Sequence, residues 1–554
     1  MNKKISRRQF FKTTVKAGLC IGVSSTLGTT SLFAPPARFD IVIKNGIVID
    51  GVNSSGYRAD LGITGDRIQA IEKSLSKQAK LFIDASQKIV CPGFIDIHSH
   101  SDFELIRNPK AESKIHQGVT TELSGNCGSS PFPRGVHSSG SKWIELNDFF
   151  QALQRKGIAL NYGTLVGYGS IRASAMRDYS RRPTQSEMAT MKEQTAKALR
   201  QGAFGLSTGL EYAPDRFSST DEIIELCRVV SSLGGFYATH MRSEDLKLME
   251  AAAEALHIAE KANIPLQISH LKASGRSNYH KARLVLDLLE KAYDRGLRIS
   301  ADRYPYTAFS TTLSIMFPAW ALEGGGQRFC ARLQDNSLRQ RMKAETLEKV
   351  EGNNSWESLV IQVTGNKKNI RFRGRNIREA AVSTDRDPYE FACDLLMSEG
   401  GELRIIGFGM SEENTEMILA HPLVMVASDG SSLAPAGPRG NGLSHPRSFG
   451  TFPRFLGVYS QERELVSLPE AIKKMTSLPA LKIGLRNRGV ISKGYYADIA
   501  VLDPLNIKDN ATYLQPQLYP DGIDHVIVNG RSVIYQGAHT GNLPGNILYS
   551  PSYR

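Results

Sequence analysis

The chain is predicted to be α/β. The expected architecture is a TIM-like (β/α)8 barrel, a small β-sandwich domain built from both chain ends, and an insert near the barrel mouth. Three observations predict it. Eight short apolar segments alternate with helical patterns through the middle of the chain, which favours a closed parallel barrel. Two β-rich ends of similar texture flank that middle. The stretch between the seventh and eighth segments, about 311–420, is too long for one helix and a return, so part of it reads as an inserted subdomain.

Residues 1–37 read as a targeting segment. "SRRQFFK" (Ser6–Lys12) precedes an apolar, small-residue stretch from Val15 to Phe33, the pattern of a twin-arginine export signal. The expected location is therefore periplasmic or secreted, with no membrane span once the signal is removed. The leader holds Lys3, Lys4, Arg7, Arg8, Lys12 and Lys16 and no acids, which leaves +7 of the net +13 on the remainder. Spread over so large a surface, that charge is no argument for nucleic acid. Hydrophobic content of 41% and charged content of 22% are ordinary for a globular enzyme.

Residues 38–91 and 476–554 are assigned to the sandwich. "FDIVIKNGIVIDG" and "ADLGITGDRIQAIE" alternate apolar and polar residues around Asn-Gly and Gly-Asp turns, and "YADIAVLDP" and "DHVIVNGRSVIYQG" repeat the texture near the other end. Residues 92–475 are assigned to the barrel. Its strands are "FIDIHSH", "VTTELSGNCG", "LNYGTLVGYG", "GAFGLSTG", "GGFYATHMR", "IPLQISHLKAS", "LRISADRYPY" and "LVMVASDG". Helices are expected between them, as in "STDEIIELCRVVSSLGG", with Ser or Thr as cap and Gly-Gly as stop, and "SEDLKLMEAAAEALHIAEKAN".

In a barrel, the C-terminal strand ends face the mouth where chemistry takes place. The first strand ends in His98 and His100, two apart and expected on one face. The second ends in Cys127, the fifth in His240, the sixth in His270, the seventh in Asp302 and the eighth in Asp429. One His-x-His is weak evidence of a metal, but imidazoles and a carboxylate at several strand ends together point to one. Cys127 is open on residues alone: a ligand thiolate or a buried small side chain. Cys227 and Cys393 sit in helix-like apolar patterns and read as core, and the scattered cysteines make a poor disulfide framework. His116, His137, His257, His280, His421, His525 and His539 lack strand-end placement and read as surface or core. His445 stands apart, in "SHPRSFGTFPR" soon after the eighth strand.

"PGFIDIHSHSD", "GNCGSSPFP", "STGLEYAPD", "ATHMRSE", "ISHLKASG" and "HPRSFGTFPR", in that order, resemble the D-aminoacylase (N-acyl-D-amino-acid deacylase) family of the amidohydrolase superfamily. The resemblance implies a metal-dependent hydrolase barrel that cleaves N-acyl-D-amino acids to a carboxylate and a D-amino acid. It implies that Cys127, His240 and His270 hold a tightly bound zinc. His98, His100 and Asp429 would form a second, weaker site that the same thiolate can bridge. Asp429 would be the general base and acid. Arg447 matches the family's carboxylate-binding arginine and Tyr212 a substrate-contacting tyrosine. Lys272, read as pointing the same way as His270, is expected to share the carboxylate, and Ser310 is a further substrate contact. The implied partner is a small-molecule N-acyl amino acid; oligomeric state is left undefined. A cyclic-amide hydrolase of the dihydropyrimidinase or hydantoinase type is the alternative, opposed by the lack of a bridging-lysine pattern. A non-catalytic barrel scaffold is a further one, opposed by the filled ligand positions.

Overall fold

Eight parallel strands form the ring that the alternation of segments predicts. A computed structural model describes residues 39–75, 78–133, 143–352, 354–435 and 443–553. The targeting segment and His137 lie outside the described residues. The barrel strands are Phe94–Asp96, Val119–Ser124, Asn161–Thr164 continued by Val166–Gly167, Gly205–Gly209, Phe236–His240, Leu266–Ile268, Ile299–Arg303 and Val424–Val426. Asn161–Thr164 pairs with the second strand and Val166–Gly167 with the fourth, so the third strand joins two arcs of hydrogen bonds. A parallel bridge between Ser99 and Gly430 joins the first strand to the eighth. These strands are short and buried along their length, as parallel strands covered by helices must be, and Val119–Ser124 and Phe236–His240 bury polar residues among the apolar ones.

The helices between them begin where local chemistry allows. Ser219 caps Thr220–Ser232 by accepting from the backbone N–H of Glu222, and Thr184 with Glu187 makes a capping box on Gln185–Arg200. The next helix starts at Leu248, later than the apolar pattern suggests. Ser243 and Asp245 instead hydrogen-bond each other and the backbone of residues 245–247, a local turn that competes with helix. Asn263 ends that helix in the left-handed region, at φ 48°.

The two chain ends meet in one seven-stranded sheet. Ile89–Pro92 pairs antiparallel with Ile499–Leu502, in the register Cys91 to Ala500 and Val90 to Val501. A four-stranded sheet (Arg67–Glu72, Asp60–Thr64, Phe39–Lys44, Ala79–Asp84) packs beside it. Ile41, Val48, Leu61 and Val90 share a buried cluster with Ile491, Ile499, Val501 and Ile527.

The segment after the seventh strand has its own core. Phe309–Thr312, Arg404–Gly407 and Leu359–Val363 form an antiparallel sheet, and buried residues from Leu313 to Ile405 cluster apart from the barrel core. The sheet ends at Gly407, and the helix Glu412–Ala420 packs on the barrel through Ile418 and Leu419. Among the described residues no helix is long and apolar enough to cross a membrane. Cys227 and Cys393 are buried free thiols.

Candidate metal centre

At the C-terminal ends of the strands the structure brings His98, His100, Cys127, His240, His270 and Asp429 together. Donor atoms lie within 4.8 Å of one another in each of three overlapping sets: His98 with His100 and Cys127; Cys127 with His240 and His270; His98 with His270 and Asp429. Cys127 Sγ is 3.4 Å from His98 Nε2 and 3.5 Å from His270 Nε2. His240 Nδ1 lies 3.0 Å from His270 Nε2. Asp429 Oδ1 is 2.9 Å from His100 Nε2 and 3.5 Å from His98 Nε2. The thiol thus sits between the two histidine groups.

The backbone delivers most of these side chains from beyond the strands, His240 alone of the six being the last residue of one. The first strand ends at Asp96 and the sixth at Ile268, so His98, His100 and His270 all follow the ladder. Cys127, His270 and Asp429 adopt the left-handed region at φ 51°, 35° and 49°. Such conformations cost side-chain-bearing residues about 1–3 kcal/mol and cluster where a site imposes them. The Gly-rich run around Cys127 has a steric reason. A Cβ on Gly128 would collide with the Asp215 carboxylate, and one on Gly125 with the Leu165 carbonyl oxygen. Their N–H groups are anchored, Gly125 donating to Asp102 Oδ1 and Gly128 to Ser207 Oγ. Beneath the site, Lys114 Nζ contacts Asp96 Oδ2 at 2.6 Å with both side chains fully buried, and Asp96 also accepts from the Ser428 N–H. That clamp ties the first strand to the residue before Asp429.

The outer nitrogens of the imidazoles are held by carboxylates. Asp302 Oδ1 lies 3.0 Å from His98 Nδ1 and accepts the His270 N–H, while Oδ2 accepts from Gln267. Glu211 Oε2 is 3.2 Å from His240 Nε2, and Glu244 Oε1 is 2.9 Å from His270 Nδ1. Such contacts fix imidazole orientation and raise its basicity as a ligand. Sequence reading placed Asp302 at a strand end but missed Glu211 and Glu244. Their signal is position: Glu211 lies two residues beyond the fourth strand, and Glu244 four beyond His240.

The charges respond to one another. Burial favours the neutral Cys127 thiol, yet the imidazoles of His98 and His270 outweigh it and hold the pKa well below the thiol range. Burial also resists charge on His98, but Asp302, Cys127 and Asp429 raise its pKa well above the ordinary value. The same contest, decided by Glu244 and Cys127, carries His240 to about 10, and Asp429 helps carry His100 to about 9. Against its own burial, Asp429 stays well below the carboxylate range beside Arg447 and His98. The thiolate and Asp429 draw positive charge to the centre, the demand that a divalent cation meets. Sulfur and imidazole donors suit zinc, and a Cys/His/His set leaves a position for water. The residues present therefore fit the metal.

The substrate residues named from sequence line one pocket beside this centre. Arg447 begins the helix Arg447–Arg454 and is buried. Its Nη1 lies 2.7 Å from Asp429 Oδ2 but without an aligned N–H, and its guanidinium stacks 4.9 Å from the Tyr304 ring centre. His445 positions it: His445 Nδ1 accepts the Arg447 N–H and Nε2 donates to the Ala308 carbonyl. Burial, then Arg447, keep that imidazole neutral. Lys272 does not extend along a strand beside His270. It folds back, with Nζ 2.6 Å from Glu244 Oε2 and 2.8 Å from His270 Nδ1. Tyr212 bonds the Thr311 hydroxyl at 3.0 Å, and Ser310 donates to Gln362 at 2.8 Å, so both touch the insert.

An eight-stranded barrel with a thiolate–imidazole–carboxylate cluster at its mouth defines a metal-dependent hydrolase type of site. The chain belongs to the amidohydrolase family, whose profile matches residues 81–534. It is 36% identical to a D-aminoacylase of Alcaligenes xylosoxydans xylosoxydans, over 92% of this chain and 97% of that protein. It is 33% identical to an N-acyl-D-aspartate deacylase of the same organism, over 93% of this chain and 95% of the relative. The crystal structure of N-acyl-D-glutamate deacylase from Bordetella bronchiseptica, complexed with zinc and a phosphonate mimic of the tetrahedral intermediate, superposes with a TM-score of 0.80. It shares 30% identity and covers 93% of this chain and all of its own.

Proposed function

We propose that this protein is a zinc-dependent N-acyl-D-amino-acid deacylase. It hydrolyses the amide of an N-acyl-D-amino acid to a carboxylate and a free D-amino acid. One observation carries the reading: a buried guanidinium with an unaligned nitrogen, the natural holder of an α-carboxylate, stands in the same chamber as the cysteine–histidine cluster. The D-specific relatives support the enantiomer.

Cys127, His240 and His270 would hold the tight zinc, with His98, His100 and Asp429 forming the weaker second site. When bound, the metal supplies positive charge that polarises the amide carbonyl and eases the ionisation of water. Arg447 grips the α-carboxylate, and neutral His445 fixes its backbone. Asp429 is held ionised by Arg447 and His98, the state in which a carboxylate can accept a proton from the attacking water. As the C–N bond breaks, that proton passes from Asp429 to the departing nitrogen. Tyr212 presents its ring to the chamber. Ser310 and Lys272 line the same space, Lys272 also steadying Glu244 and His270.

The test is hydrolysis of a matched panel of N-acetyl-D-amino acids, their L-enantiomers and hydantoins by metal-quantified protein. Turnover of the D-amides alone is expected, and Asp429→Asn should abolish it while retaining the tight zinc. Preferential hydantoin opening would refute the reading. We further propose that the leader exports the folded, metal-loaded protein by the twin-arginine route to the periplasm or beyond; its motif supports this. Replacing Arg7 and Arg8 with lysines should retain the protein in the cytoplasm.

A further inference from the structure

We infer that a loop of the domain built from both chain ends belongs to the substrate grip: residues 503–522 hold Arg447 in place, with Tyr513 and Asp509 as positioning residues. The inference rests on the deacylase reading and gives that reaction residues from outside the barrel.

The loop is longer than a connector needs to be. Ile499–Leu502 and Ile523–Val528 are antiparallel neighbours in the seven-stranded sheet, and such neighbours are ordinarily joined by about 2–5 residues. Here the chain between them leaves the sheet and lies against the barrel. Ala511 is buried with Leu433 and Phe449, and Tyr519 packs on the same cluster. The Tyr519 ring also stacks 3.9 Å from His116, and its hydroxyl donates to Glu112.

Two contacts carry the loop to Arg447. The first passes through the His445 ring, which must keep one orientation because Nδ1 accepts the Arg447 N–H while Nε2 donates to the Ala308 carbonyl. Tyr513 packs on that ring with centres 5.3 Å apart at 85°, and Tyr306 packs on it at 5.3 Å and 88°. Tyr513 also meets the Phe408 ring at 4.9 Å, just past the sheet of the insert. The second contact is with the helix itself. A Cβ on Gly450 would collide with the Asp509 carboxylate, so the helix Arg447–Arg454 rests directly on that side chain. Asp509 Oδ2 accepts from the Tyr306 hydroxyl at 2.8 Å, and Oδ1 accepts the Ala511 N–H. Tyr306 therefore joins the two contacts, its ring on His445 and its hydroxyl on Asp509. A guanidinium grips a carboxylate well only when it is correctly placed, and that placement starts from the backbone that His445 and Asp509 hold.

The experiment measures kcat and KM of the zinc-loaded full-length protein on the N-acetyl-D-amino acid it turns over fastest. Tyr513→Ala should raise KM ~10-fold with kcat within about threefold of wild type, the mark of lost binding rather than lost chemistry. Tyr513→Phe keeps the ring that makes both contacts and should hold KM within about twofold of wild type. Tyr513→Ala combined with Arg447→Lys should cost less than the product of the two single losses, because both act on one grip. An unchanged KM in Tyr513→Ala, or losses that simply multiply, would overturn the inference and leave the deacylase reading intact. Tyr306→Phe deletes only the hydroxyl that Asp509 accepts and should raise KM ~3-fold. It decides the matter should Tyr513→Ala fail to give soluble, zinc-loaded protein, an unchanged KM again overturning the inference. A wild type that hydrolyses no N-acetyl-D-amino acid would sink the reaction assignment and this inference with it.

Discussion

Replacing Asp302 by asparagine should weaken zinc binding by about 10- to 100-fold, about 1.4–2.7 kcal/mol, while the fold stays in place. The magnitude follows from what the exchange keeps and removes. Asp302 Oδ1 serves both the His98 ring at 3.0 Å and the His270 N–H at 2.8 Å, and an asparagine oxygen can do the same. The new amide nitrogen would face Gln267 Nε2, a donor against a donor. Gln267 Oε1 has no partner in the native arrangement, so turning that amide over restores a bond. The bonds from His98 and His270 to Oδ1 are kept, and the Gln267 donor moves to the place of its unpartnered oxygen. What disappears is the charge that leads the anions raising the basicity of His98. The assay is equilibrium competition between the apo-protein and a fluorescent zinc chelator, with thermal unfolding of the apo-protein alongside. Affinity within twofold of wild type, at an unchanged melting temperature, would refute the claim that Asp302 acts through His98. Asp302→Ala is the contrast: it strands donors on His98, His270 and Gln267, each worth about 1–3 kcal/mol, and should lower the melting temperature.

Cys127 thiolate persists below the ordinary thiol range, so chelator-treated protein should be alkylated by iodoacetamide at a rate that stays level as pH falls from 8 to 6. Zinc should suppress the labelling, read by mass spectrometry; a rate that falls tenfold per pH unit would contradict the depressed pKa. Lys114→Met leaves fully buried Asp96 without its cation and should cost about 3–5 kcal/mol in urea unfolding, with much of the loss recovered by adding Asp96→Leu. Arg447→Lys should lower kcat/KM ~10- to 100-fold through loss of charge-assisted bonds to the carboxylate, with zinc affinity within twofold of wild type.

The strands and the metal cluster were legible because each rests on local pattern. Buried parallel strands are short segments rich in apolar residues, and the residues that end them face one mouth, so His98, His100, His240, His270 and Asp429 could be gathered before any geometry was known, whereas Cys127 joined them only through the family resemblance. The carboxylates behind the imidazoles were not legible. Glu211 and Glu244 sit in loops after the fourth and fifth strands, where an acid is ordinarily a solvated side chain, and only their burial against His240 and His270 distinguishes them. Lys272 was read by the two-residue period of a strand, but the sixth strand stops at Ile268 and the φ of 35° at His270 turns the chain, which sends the ammonium back onto Glu244. The late start at Leu248 has a similar cause, since two short polar side chains won the backbone from the helix.

Ile89–Pro92 finds a neighbour in Ile499–Leu502, and the first barrel strand begins two residues after Pro92. Until Ile499–Leu502 has left the ribosome, the scaffold on which that strand hangs presents a bare row of amides to solvent. Products of a premature stop codon before residue 499 should therefore stick edge to edge and fall to proteases, even when every metal-ligating side chain has been translated.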